Sequence, residues 1–383
     1  MKNKKVLILG GSHRDIPIIL AIKRLGMKAF TMGNKDYYLG HSYADKFFLI
    51  DFNNKEMIKE IVNNENIDFI IPGSGEEAYL RTVEISHELG IGNFDSLKVA
   101  RLIHDKWEFK KFCLKNNISV PNAMKYKNIS SLNGLNYPLI IKPTNLSGGN
   151  GVNIVHSKAE AIKAIALAQK ISNEIIIEDL IVGDLFAYSV LIQEKEVVYE
   201  FCARDISYLN PYLVTTSFAK KIEDNTLANL RNEVNSICKM LQLTDGMFHL
   251  QVIVNENTHY IIDVTRRIPG DLFPYLIEYS DKTEYSINTV KAYLGMPIDK
   301  LEPNKGKFYI RHCVMATRNG LLKSLYVDKK IIDKIKYKLE IINSGSEINN
   351  FLRDQIAILI IETEDYDYSI IENINSLIYP VVE

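Results

Sequence analysis

Through the first hundred positions, short apolar runs are separated by stretches of helical periodicity. "KVLILGG" (5–11), "KAFTMG" (28–33), "KFFLID" (46–51) and "IDFIIPG" (67–73) read as buried strands. "IPIILAIKRLG" (16–26), "KEMIKEIVNNE" (55–65) and "EEAYLRTVEISHELG" (76–90) read as helices, the last closed by Gly90. The 55–65 helix carries a solvated Lys/Glu face and no site. Strands alternating with helices predict a parallel sheet with helical crossovers. Ligands collect at the carboxyl ends of strands in such sheets. Here those ends carry Gly10, Gly11 and Ser12 after the first strand, and Gly73, Ser74, Gly75 and Glu76 after the fourth. Gly11, Ser12, Ser74 and Glu76 are therefore candidate substrate contacts.

One long helix, "LKVARLIHDKWEFKKFCLKNN" (97–117), leads to Pro121, and the pattern then changes. "PLIIKP", "GVNIVH", "EIIIEDLI", "LFAYSVLIQ", "EVVYEFCAR", "HLQVIV" and "HYIIDVT" are strand-like. Helices over 160–171 and 227–243 interrupt them, which predicts an α+β body. From "GKFYIRHCVMATRNGLL" onward the chain reads as a small strand-rich unit. The expected division is a parallel-sheet domain over 1–100, an α+β domain over 101–300 and a strand-rich domain over 301–383.

A chain of 383 residues suits this two- or three-domain reading. Forty-six basic against 47 acidic residues leave no field that would attract a phosphate backbone, so no nucleic-acid partner is expected. Cys113, Cys202, Cys238 and Cys313 lack metal-cluster or disulfide-frame spacing and suit a reducing compartment. "MKNKK" followed by "VLIL" imitates a signal peptide, but the apolar run is too short. No run reaches the roughly 18 apolar residues of a membrane span. The expectation is a cytoplasmic protein with no membrane partner.

The chemistry centres on "PLIIKPTNLSGGNGV" (138–152), where an apolar strand delivers Lys142 into a glycine-rich loop. One reading is a strand-end lysine before a surface hairpin. The other is an anion cradle: without Cβ atoms, backbone N–H groups approach an anion closely, and the lysine adds a movable charge. The spacing is not that of a P-loop, and "LGGSHRD" does not complete a dinucleotide fingerprint. That gap argues against a nicotinamide oxidoreductase.

Lys106 in "HDKWEFKKF", Lys142 with its loop, the strand ending "EDLI" (178–181), and "HLQVIVNENTHYIIDVTRRIPGD" (249–271) follow one another in that order. This series resembles the ATP-grasp superfamily, in the branch of biotin carboxylase, carboxyaminoimidazole ribonucleotide synthetase and the carbamoyl phosphate synthase large subunit. The resemblance implies a pre-ATP-grasp domain, an ATP-grasp domain and a small C-terminal domain. It further implies ATP and Mg2+. Lys106 and Lys142 would hold the α- and β-phosphates, while Ser147, Gly148, Gly149 and Gly151 would close over the triphosphate. Glu178, Asp179, Leu180 and Ile181 would line the adenine slot.

Three positions depart from the superfamily pattern. Leu185 stands where a ribose-binding glutamate is usual, so ribose recognition would fall to neighbouring Asp184 or be weaker. Gln251, Asp263 and Thr265 replace the usual two glutamates and asparagine at the metal, giving a site of lower negative charge that still offers oxygen ligands. Arg267 matches the arginine that would stabilise the transferred phosphoryl group.

Other residues carry two readings each. Arg266 is a solvated or a functional arginine, and Asp271 a turn residue or a substrate contact. His249 is a satisfied core histidine or a ligand, and Trp107 is read as core. Arg204 would face the same cleft as Arg267, and Arg311 and His312 lie on a C-terminal strand, where substrate contact is the lesser of their two readings. The resemblance implies an ATP-dependent carboxylate–amine ligase working through an acyl phosphate, with Arg267, Lys142 and Asp263 as catalytic residues. Its partners would be a small carboxylate and an amine, and a homodimer is compatible. The alternative is a nucleotide-binding module with weak or no ligase turnover.

Overall fold

The computed structural model describes residues 2–144, 151–303, 307–364 and 367–383. Strands β1 (Lys5–Leu9), β2 (Lys28–Gly33), β3 (Lys46–Leu49) and β4 (Phe69–Pro72) form a parallel sheet in the order β3-β2-β1-β4. Helices α1 (Ile16–Arg24), α2 (Lys55–Glu65) and α3 (Glu76–Leu89) connect or follow them. β1 is buried along nearly its whole length, as the unbroken apolar run "VLIL" requires of a strand covered on both faces. Gly90 closes α3 with φ +67°, a conformation that costs glycine little.

The expected helix over 97–117 is two helices, α4 (Leu97–His104) and α5 (Lys106–Lys115). Asp105 breaks the run. Its backbone is extended, and its carboxylate accepts the N–H groups of Trp107 and Glu108 at 2.9 Å each. A local N-cap therefore overrides the apolar periodicity that spans both helices. As a result Lys106 opens a helix, and Lys110 sits one turn further on the same face.

A small antiparallel sheet follows, with order β5-β8-β6-β7: β5 (Ala123–Lys125), β6 (Leu139–Pro143), β7 (Asn153–Val155) and β8 (Ile175–Asp179). Helix α6 (Lys158–Ala168) packs on it through Ala161, Ala164 and Ile165. Next come β9 (Asp184–Gln193), β10 (Glu196–Ser207), β11 (Val214–Ala219), α7 (Asp224–Leu241), β12 (Gly246–Asn255) and β13 (Thr258–Thr265). Helices α8 (Phe273–Asp281) and α9 (Tyr285–Tyr293) lead to β14 (Phe308–Met315), β15 (Gly320–Val327), β16 (Ile335–Glu340), β17 (Glu347–Ile348) and β18 (Gln355–Thr363). Helix α10 (Tyr368–Leu377) and β19 (Ile378–Val382) end the chain.

Eight strands from both sides of residue 300 make one antiparallel sheet, β13-β12-β9-β10-β11-β14-β18-β16. The junction is β11 against β14, where Ser217 faces Arg311 and Thr216 faces His312. The N-terminal layer is tied to the same body: Ile18 and Ile22 of α1 share a buried cluster with Tyr285 and Tyr293 of α9. The four cysteines are free thiols. Among the described residues, no helix is long and apolar enough to cross a membrane.

Candidate active site

Strand register builds the floor of the site. Asp263 of β13 lies opposite Gln251 of β12, which lies opposite Ala187 of β9, which lies opposite Ala203 of β10. Side chains two apart on a strand share a face. The same face therefore also carries Thr265, His249 and Asp205, and beyond Asp205 come Ser217 of β11 and Arg311 of β14. The two alanines keep the middle of the floor low. Over it opens a cavity of about 240 Å3, lined among others by Gln251, Asp263, Thr265, Arg267, Asp205 and Arg311. The N-terminal layer adds Arg14, Ser74 and Glu76 to its wall. A larger cavity of about 580 Å3 opens between Tyr199, Leu227, Leu301 and Phe308, and it holds none of the expected site residues.

At one end of the floor stand the lysines. Lys106 Nζ is 3.4 Å from Asp263 Oδ2. Burial alone would lower Lys106, but Asp263 and Glu76 outweigh it and hold the ammonium above its ordinary value. Burial likewise pushes Asp263 up, and Lys106 and Lys142 more than cancel that. Lys142 Nζ lies 2.8 Å from Glu178 Oε2, and the other oxygen of that buried carboxylate faces Lys110 Nζ at 3.3 Å.

Glu178 is thus the counter-ion of two lysines at the end of β8. Asp179 is likewise engaged: its N–H donates to the Asn122 carbonyl and its carboxylate accepts from Asn122 Nδ2. Leu180 and Ile181 follow in irregular, half-buried chain. Gly151 has φ +74°, while Ser147, Gly148 and Gly149 lie outside the described residues.

The two neighbouring arginines part company. Arg267 reaches the cavity, where its guanidinium lies 3.7 Å from Glu76 Oε1 and its buried Nε has no partner among the described residues. Burial pulls Arg267 below its ordinary value against Glu76 and Asp263. Burial also raises Glu76, with Asp263 adding to it. Arg266 turns into the core instead, a correction to its expected substrate role. It donates to both oxygens of buried Asp95 and to the carbonyls of Met247 and Thr244.

Arg204 is a second correction. It donates to Asp184 Oδ1 at 2.6 Å and to the carbonyls of Leu185 and Asp205, and it does not line the cavity. Adjacent strand residues point to opposite faces, so Asp205 takes the cleft face that Arg204 was expected to occupy. The same ion pair occupies Asp184, the expected ribose contact.

Gly11 and Ser12 do not offer free amides. The carboxylate of buried Asp15 accepts both of their N–H groups at 2.8 Å, and it accepts Ser74 N–H at 2.7 Å. This joins the two strand-end loops through an internal anion. Gly11 also abuts His41, since a Cβ there would lie 2.0 Å from His41 Cε1. Asp271 lines the cavity and pairs with Arg14 Nε at 3.1 Å. Burial pushes Asp271 up, but Arg14 and Arg311 hold it below its ordinary value.

His249 also faces the cavity. Its Nδ1 meets Ser189 Oγ at 2.6 Å, and burial, with Arg267 next, lowers it to about 3, so the ring is neutral. His312 is buried and hydrogen-bonds Thr216. The sequence reading missed Lys110, Asp205, Asp15 and Arg14. Two of them carried a signal: Lys110 follows Lys106 by one helical turn, and Asp205 follows Ala203 on the cleft face of its strand.

Magnesium fits these donors as an ion completed by a bound polyphosphate. Asp263 would supply one carboxylate and Gln251 a carbonyl, while Glu76 stands on the facing wall. Thr265 Oγ1 already accepts the Arg267 N–H at 3.3 Å, which leaves it a lesser part. Among the described residues, no group of three or more acidic, histidine or cysteine side chains forms a self-sufficient metal cage.

Residues 103–271 match the family model of the ATP-grasp domain. Among curated proteins, formate-dependent phosphoribosylglycinamide formyltransferase of Janthinobacterium sp. (strain Marseille) is 26% identical over 102 residues, covering 27% of this chain and 25% of that protein. The chain thus matches about a quarter of that relative's length. The whole chain superposes on L-amino acid ligase from Bacillus licheniformis with a TM-score of 0.87 at 16% identity, covering 100% of both chains. It superposes on phosphoribosylglycinamide synthetase from Anaerococcus prevotii with a TM-score of 0.79 at 19% identity, again over 100% of both. Identities this low carry the fold alone. The lysine pair, the glycine-rich loop and the Asp263–Arg267 strand end all fall within the matched span, so the chain carries an ATP-grasp domain over residues 103–271.

Proposed function

We propose that the protein is an ATP-dependent carboxylate–amine ligase that forms an amide or peptide-type bond through an acyl phosphate, releasing ADP and phosphate. The observation that carries this reading is one cavity lined by Asp263, Arg267 and Arg311, with Lys106 against Asp263 at its edge. The lysines would grip a polyphosphate from one end, as charge-assisted contacts do. Arg267 and Arg311 would receive an anionic acid at the other end and neutralise charge as a phosphoryl group passes to it. Magnesium, held by Asp263 and Gln251, would neutralise phosphate charge when bound. The cavity suits a small substrate, and walls from three parts of the chain shield an activated acid from water. The curated relative is named for formate, itself a carboxylate, and one structural neighbour for L-amino acids; both names support a small acid.

The test is ADP release from MgATP over a panel of proteinogenic amino acids and small carboxylic acids, with hydroxylamine present as a trap. ADP and a hydroxamate are expected together. AMP and pyrophosphate as stoichiometric products would reject the acyl phosphate in favour of adenylation. Nucleotide binding without ADP release for any acid would favour a nucleotide-binding module, to which Gln251 in place of a carboxylate already points.

A further inference from the structure

Asp205 is a buried carboxylate on the cavity floor. Its Oδ1 accepts the Ser217 hydroxyl at 2.5 Å, and Ser217 Oγ in turn accepts from Arg311 Nη2 at 2.8 Å. Serine therefore stands between the acid and the guanidinium. Asp263, Asp271 and Glu76 each have a cation within 4 Å. Among the described residues, no cation pairs with Asp205 in this way. An unpaired buried carboxylate is costly unless a cation is delivered to it.

We propose that Asp205 receives the nucleophile: its carboxylate holds the ammonium form of a primary amine in the cavity and takes the proton that must leave before the nitrogen attacks. This rests on the acyl-phosphate reading above and narrows the nucleophile to a protonated amine, such as that of an amino acid. One proton passes from R–NH3+ to Asp205. The freed lone pair forms the C–N bond, and the acyl C–O bond breaks with its electron pair leaving on phosphate. The second N–H proton departs with that phosphate as HPO4(2−), giving a neutral amide and a protonated Asp205. Arg311 and Arg204 are the charged groups that act on this carboxyl. Burial outweighs them and Ser217 and lifts it to about 6, a value suited to a base working near neutrality.

The experiment uses the full chain, MgATP, the acid that scores in the ADP-release panel, and each proteinogenic amino acid as amine. Hydroxylamine is largely unprotonated at neutral pH and does not need the base. Asp205→Asn is expected to form hydroxamate within about twofold of wild type while amide formation falls about a hundredfold or more. Ser217→Ala removes a hydrogen bond that favours the charged carboxylate, so the acidic limb of amide formation moves to higher pH. If Asp205→Asn loses hydroxamate and amide alike and Ser217→Ala leaves the limb in place, Asp205 is structural and the proposal fails while the ligase reading stands. Wild-type hydroxamate without amide from any amino acid overturns the nucleophile class. No wild-type hydroxamate with any acid sinks the ligase reading, and this proposal with it.

Discussion

Lys110 offers a sharp test of the electrostatics beneath the site. Its side chain is 4% exposed and lies 3.3 Å from Glu178 Oε1, while Lys142 takes the other oxygen at 2.8 Å. One negative charge faces two positive ones. Burial wins over the pull of Glu178 and carries Lys110 from 10.5 down to about 8. That fall of about 2.5, at 1.36 kcal/mol each, costs the folded chain about 3 kcal/mol while the lysine stays charged. The folded value lies below the unfolded one, so the cost is full below pH 8. It shrinks between pH 8 and 10.5 and is gone above that.

Lys110→Met removes the charge, keeps the bulk and leaves Glu178 paired with Lys142. At pH 7 the variant should match or exceed wild-type stability, by up to about 3 kcal/mol before a repacking loss of about 1. Its advantage should decline at pH 10. Glu178→Gln does the reverse, stranding the buried Lys110 ammonium and the half-buried Lys142 at a cost of about 3–5 kcal/mol. Urea unfolding followed by circular dichroism at both pH values reads the differences. A Lys110→Met chain several kcal/mol weaker than wild type at pH 7, or a Glu178→Gln chain of unchanged stability, would refute this account.

Lys142→Ala should weaken MgADP binding at least tenfold by calorimetry, since a charge-assisted contact is worth about 1.5–3 kcal/mol; unchanged affinity in a folded variant removes Lys142 from the phosphates. Asp263→Asn should abolish ADP release more fully than Gln251→Ala, and Gln251→Glu should tighten Mg2+ dependence; a fully active Asp263→Asn places the metal elsewhere. Asp15→Asn sets an amide nitrogen against backbone donors and should cost about 2–4 kcal/mol in urea unfolding with MgADP affinity unchanged. A neutral result there would deny Asp15 its role in joining the two loops.

Much of the architecture was legible because apolar period and local caps agreed. The 55–65 helix and the 28–33 strand have the same bounds in sequence and structure. The helix over 97–117 misled because α4 and α5 share an apolar face, while Asp105, the residue that separates them, reads as one more polar position. Lys106, Lys142, Asp263 and Arg267 could be singled out by their order along the chain, and three of them, Lys106, Asp263 and Arg267, meet around Asp263 and Glu76. Their partners could not be read that way. Glu178 and Lys110 are 68 residues apart and meet only where the fold brings α5 and β8 together. Arg266 and Arg267 are adjacent at a strand end, where one must point in and the other out; only the position of Asp95 decides which.

The site also draws on the chain beyond the ATP-grasp span. Arg14, Ser74 and Glu76 come from the parallel-sheet layer, and Arg311 arrives on β14, outside residues 103–271. Because β14 pairs directly with β11, Arg311 is held in register with Ser217 and Asp205 by backbone hydrogen bonds and not by a mobile loop. The matched span supplies the lysines and Asp263, groups suited to a nucleotide whatever acid is activated. The flanking segments supply charges that a polyphosphate does not need. Arg14 and Arg311 from those flanks face Asp205, Ser217 and Asp271 of the matched span across one cavity, and under the proposed ligase reading the choice of acid and amine would rest on that set and not on the nucleotide-facing lysines.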